Sequence, residues 1–118
     1  MEENAIASKS KKLAVRIVRL YQYLEREKRE HTLSKQILRS GTSIGANVRE
    51  ALQGQSKADF TAKMSIALKE ANETEYWLEL LRETDYLEAC EYKSLRRDCG
   101  EVARLLTAIV KTSREKGN

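Results

Sequence analysis

Four carboxylates crowd one short stretch of the chain: Glu70, Glu73, Glu75 and Glu79. Such a group is the first place to test for metal chemistry. A ferritin-like di-iron bundle takes a Glu-x-x-His pair from each of two helices. This sequence holds one histidine, His31, beside a polar turn. The glutamates therefore read as hydrated or ion-paired groups, and no metal ligand is assigned. Nucleophilic catalysis lacks a base for the same reason. Cys90 and Cys99 are nine residues apart, so on one helix they point to opposite sides. They read as reduced thiols packed as small hydrophobes. The segment RSGTSIGAN (39–47) has neither the GxxxxGK[ST] spacing nor a preceding strand, so it is no phosphate loop. The expectation is a non-enzymatic protein with no catalytic residue and no cofactor.

The elements that position these residues are helices. The chain has 118 residues, no proline and 34% charged residues, a composition that favours long helices. Its length suits one domain with a real core. No apolar run reaches the roughly 20 residues a membrane span needs, and MEENAIASKSKK lacks a secretory apolar stretch. A cytoplasmic location without membrane contact is expected.

Periodicity places helices at roughly 5–29, 33–53, 57–84 and 87–114. In the first, Ile6, Leu13, Ile17, Leu20 and Leu24 share a face. In the second, Leu33, Ile37, Ile44, Val48 and Ala51 do so, with Thr32 or Ser34 as its cap. Ser43 and Asn47 flank that face and are expected to be buried polar groups. Gly41 and Gly45 suggest a close helix–helix approach. Ser56 and Asp59 resemble a capping box for the third helix. Its inner stripe includes Phe60, Met64, Ala67, Leu68, Ala71 and Leu78, with Glu75 near the middle as a third buried polar group. In the fourth, Leu95, Cys99, Val102, Leu106 and Ile109 align. Four helices with short connections predict an all-α, antiparallel up-down-up-down four-helix bundle, one domain over residues 1–118.

The third helix has a second stripe. Ile66, Trp77 and Leu80 project away from the core, with Tyr76 beside them and Glu70 and Glu73 between. One helix in a small bundle needs only one apolar face, so the second predicts packing by another chain. Arg39 projects outward from the second helix. A subunit interface of Arg39, Glu70, Glu73, Trp77 and Leu80 is therefore expected, with the charges paired between subunits.

At these residues a resemblance enters. QILRSGTSIGANVREA, followed by SKADF and SIALKEANETEYWLELL, resembles the 23S rRNA intervening-sequence (S23-like) family of four-helix bundles over roughly residues 10–112. The match is most specific at Gln36, Arg39, Ser43, Ile44, Asn47, Glu50, Ala67, Glu73 and Glu75. Ala51 departs from the glycine that many members carry. The resemblance implies a homopentamer.

Net charge is +4 and uneven: residues 1–30 carry eight basic and five acidic side chains, residues 56–85 four and seven. Five copies would bring about +20, which strengthens any phosphate-binding surface. The expectation is a self-assembling bundle that binds RNA or a nucleic-acid-bound protein through Lys11, Lys12, Arg16, Arg96 and Arg97. The alternative is a protein-interaction scaffold with no nucleic-acid role.

Overall fold

The computed structural model describes residues 2–117, and side chains for residues 5–116. Four helices follow one another: α1 (Glu2–Arg26), α2 (Leu33–Leu52), α3 (Lys57–Glu83) and α4 (Ala89–Gly117). No strand occurs among the described residues. The apolar stripes drive this arrangement. Ile6, Leu13, Ile17, Leu20 and Leu24 of α1 are buried, as are Ile37, Ile44, Val48 and Ala51 of α2. Met64, Ala67, Ala71 and Leu78 of α3 meet Leu95, Cys99, Val102 and Leu106 of α4 in the same core.

Residue pairings fix the direction of each helix. Ile17 lies against Gly41, and Ser10 against Gly45, so α1 and α2 are antiparallel. Arg39 reaches Glu70, and Glu50 reaches Lys63, across α2 and α3. Arg96 pairs with Glu75 while Thr61 meets Ser113, across α3 and α4. Lys9 with Glu101 and Arg16 with Asp98 close the ring between α1 and α4. No diagonal pair of helices packs together among the described residues. The fold is thus an all-α antiparallel four-helix bundle, about 47 Å long and 20 Å across. No described helix is long and apolar enough to cross a membrane.

The turns show how side chains direct the path. α1 stops at Arg26, short of the expected 29, because the chain reverses through Arg29, at φ 52°. Neither Thr32 nor Ser34 caps α2 as expected. Thr32 has helical rather than extended dihedrals, so its hydroxyl makes no cap bond. The Glu30 carboxylate accepts from the free Thr32 and Ser34 N–H groups instead, at 3.2 and 2.8 Å. At α3, extended Ser56 does cap, accepting from the Asp59 N–H at 3.0 Å. Asp85 turns the chain into α4 at φ 68°.

Candidate functional site

The best candidate surface lies along the outer edge of α3, where it meets α2. Residues 63, 66, 70, 73, 77 and 80 follow one another at three- and four-residue steps and so line one flank of the helix. Arg39 of α2 projects onto this flank. Its guanidinium donates to Glu70 at 3.0 Å and also to Glu73. The expected charge pairs therefore form within one chain rather than between subunits. The physical reason is reach: Glu70 and Glu73 point sideways at α2, so a cis guanidinium spans both. The two carboxylates raise the Arg39 pKa, the hydrogen bond that Glu73 accepts most of all.

Beneath this pair sits a fully buried polar contact. Thr74 Oγ1 lies 2.9 Å from Ser40 Oγ and 2.8 Å from the Glu70 carbonyl. Each hydroxyl has an acceptor, so the pair is satisfied without water. Ser40 and Thr74 hold the buried polar positions expected for Ser43, Asn47 and Glu75. Those three sit further round their helices and are only partly buried. Ser43 donates to the Arg39 carbonyl at 2.6 Å, and Asn47 to the Ser43 carbonyl at 2.9 Å. Glu75 turns toward α4 and pairs with Arg96.

Trp77 and Leu80 continue the flank and are partly buried, the indole packing against the core of its own chain. Tyr76 meets it edge-on at 5.1 Å between ring centroids. The Trp77 indole N–H is buried with no hydrogen-bond partner among the described residues. Outside these, Ile66 and Tyr76 are 43% and 53% exposed. Exposed apolar side chains thus stand to either side of the Arg39 pair along α3, Ile66 toward its start and Tyr76 toward its end.

Of the candidate nucleic-acid residues, Arg16 and Arg97 share the Asp98 carboxylate. Arg16 is taken by Asp98 at 2.7 Å and Glu91 at 3.4 Å. Arg96 is taken by Glu75 and Glu79. Arg97 is exposed, 3.9 Å from Asp98. Lys11 and Lys12 are exposed on α1. Two of the five cations are neutralised because α4 faces Arg16 with Asp98 and Glu91 across the α1–α4 seam, and α3 faces Arg96 with Glu75 and Glu79 across the α3–α4 seam.

The chemistry-bearing groups outside this surface have structural roles. Glu25 lies between His31 Nδ1, at 2.6 Å, and the Ser34 hydroxyl, at 2.9 Å. Ser34 is buried and donates to the carboxylate, not to the imidazole, so nothing activates its oxygen. The trio pins the α1–α2 turn. Cys99 is buried and directs its thiol at the Ala71 carbonyl, 3.5 Å away. Burial, with Glu75 nearby, pushes its pKa up to about 12. Cys90 is exposed, contrary to the packed position expected of it, because it faces away from the core that Leu87 and Leu95 enter on either side of it. No cluster of three or more metal-ligating side chains forms among the described residues.

The family model described as 23S rRNA-intervening sequence protein matches residues 2–108. Among solved structures, the chain is similar to a protein of unknown function from the S23 ribosomal protein family of Bacteroides thetaiotaomicron, in a crystal structure at 1.70 Å resolution. The two are 58% identical, with a TM-score of 0.93 over 94% of this chain and 99% of that one. No curated protein matches this chain.

Proposed function

Because this chain belongs to the 23S rRNA-intervening sequence protein family, we propose that it is a non-enzymatic, self-assembling bundle that binds RNA or a ribonucleoprotein. The observation that carries this reading is the outer face of α3. A helix whose core stripe is already buried presents Ile66 and Tyr76 to solvent beside half-buried Trp77 and Leu80. Burying these side chains returns about 25 cal/mol per Å² of apolar surface, which favours a second copy over water. A homopentamer is the state the family resemblance implies. The net charge of +4 multiplies with each copy, and a concentrated positive field attracts polyanions. This reading puts the protein in the cytoplasm.

Light scattering on the size-exclusion peak tests the assembly. A multiple of the 13.5 kDa chain mass is expected. Ile66→Asp combined with Tyr76→Asp should reduce it to one chain; an unchanged mass for that variant rules this face out. RNA binding that falls with rising salt is expected for the intact assembly. Arg39→Glu should lower stability through loss of its intrachain pairs.

The neutralisation of Arg16 and Arg96 favours a second reading, a protein-interaction scaffold without nucleic acid. Absence of RNA binding at low salt by the intact assembly would select it.

A further inference from the structure

Charge is unequal along the length of the bundle. The pairings of Ser10 with Gly45, Ser40 with Thr74, and Ala71 with Cys99 set a common mid-height. Residues 2–13, 44–69 and 101–117 make up one half, with eleven Lys and Arg against six Asp and Glu. Residues 14–43 and 70–100 make up the other, with eleven against twelve. The first half bears +5 and the second −1, together the +4 of the whole chain.

Ion pairing sharpens the contrast. Most of the salt bridges among the described residues lie in the second half, including those of Arg16, Arg39 and Arg96. Among the described residues of the first half only Lys9 and Lys63 have acidic partners. Lys57, Lys111, Arg114 and Lys116 have none among the described residues, and all four are exposed.

These cations surround two shallow grooves at the end where α3 begins and α4 finishes. One is lined by Lys57, Thr61, Ser65, Ser113 and Arg114, with two alanines. Thr61 and Ser113 share a hydrogen bond on its floor. Arg114 donates to Ser65 Oγ at 3.4 Å, which holds the guanidinium over the groove. The second groove lies on the other side of Lys57 and adds Thr112 and Lys116. Among the described residues no carboxylate lines either groove. Ammonium, guanidinium and hydroxyl donors spaced along an open channel suit the repeating phosphates of a nucleic-acid backbone. The first groove holds no aromatic ring, and the second holds one, the half-buried Phe60, beside Leu52 and Ile109; one ring is no stacking platform for successive bases, so the grooves read backbone rather than sequence.

We propose that this end of the bundle, centred on Lys57, Arg114 and Lys116, takes the sugar-phosphate backbone of RNA. The inference rests on the RNA-binding reading above and moves its site away from the α1–α4 seam.

The test uses the full chain and a fluorescein-labelled RNA hairpin, with anisotropy measured across a salt series. Lys57→Glu with Arg114→Glu should weaken binding more than about tenfold and flatten the salt slope by about 2. Lys57→Gln with Arg114→Gln should act in the same direction with smaller effect. Arg26→Glu with Lys93→Glu applies the same charge change in the other half and should cost less than about threefold. Circular dichroism melting confirms that each variant folds. Equal losses from both reversals, or no loss from the first, overturn the location and leave the RNA reading standing. Absence of RNA binding by the unmodified chain at low salt overturns both. Displacement of the RNA by polyglutamate at equal charge concentration shows a surface that reads charge alone, and overturns the phosphate assignment.

Discussion

Gly41 lies directly over Ile17: a Cβ added to the glycine would stand 2.7 Å from Ile17 Cγ2 and 2.8 Å from Cγ1. Real carbon atoms do not approach so closely, so this glycine is what lets α1 and α2 meet. A glycine inside a helix costs about 1 kcal/mol relative to alanine. The burial of Ile17, fully removed from solvent, offsets it.

Gly41→Ala should therefore destabilise the chain. Overpacking costs about 1–3 kcal/mol, against a propensity gain of about 1. Gly45→Ala should do the opposite. Its Cβ would sit 3.5 Å from Ser10 Oγ, an ordinary contact, so the propensity gain of about 0.5–1 kcal/mol remains. Urea unfolding of both variants checks the sign of each change.

The Ser40–Thr74 contact should behave as a unit. Thr74→Val leaves Ser40 Oγ without its buried cross-helix partner, a loss of about 1–3 kcal/mol. Adding Ser40→Ala removes the orphaned group, so the double variant should lose less than the two single losses combined. Simple additivity in a double-mutant cycle would show that the hydroxyls are not coupled.

Acid should weaken the α1–α2 turn through Glu25. Its pKa lies below the ordinary 4.5, first because the Ser34 hydroxyl donates to it and then because of His31. A depressed acid stabilises the fold above its unfolded pKa, and that contribution disappears as pH falls through the folded value. Ser34→Ala removes the largest cause. The gap in melting temperature between unmodified chain and variant should thus be constant from neutral pH to about 4.5 and shrink below it. A gap that grows on acidification would contradict the sign.

The two thiols should differ in reactivity. Cys90 is exposed and Cys99 buried, and the thiolate is the reactive form. With its pKa at about 12, Cys99 stays protonated in the folded chain at neutral pH. Ellman's reagent should titrate one thiol per folded chain and two in guanidinium.

The bundle itself was legible because burial follows helical periodicity. Every residue of the expected α1 stripe is buried, from Ile6 to Leu24. Ser56 and Asp59 were legible as a cap because the residues that form it are adjacent in sequence. Ser40 lies one turn before Ser43 on α2, but its partner Thr74 is 34 residues away. Only the register between α2 and α3 brings them together, and no pattern on one helix specifies that register. The ion pairs failed for the same reason. Arg39 and Glu70 project outward on separate helical wheels, yet the helices turn them toward each other. Arg16 and Arg96 looked free until α4 supplied Asp98 to the first and α3 supplied Glu75 to the second. The α1–α2 turn departs from the simple cap rule because Glu30 does from outside the helix what Thr32 was expected to do from its first position.

The α1–α4 seam is the sparsest of the four helix contacts, and Lys9–Glu101 and Arg16–Asp98 span it. The other three seams join helices that are consecutive in the chain; this one joins helices that are not. Exposed ion pairs are worth about 0–1 kcal/mol each and weaken in salt. The bundle therefore has a latch on one side only. Native-state hydrogen exchange should find the facing amides of α1 and α4 opening before those of α2 and α3, and earlier still at high ionic strength.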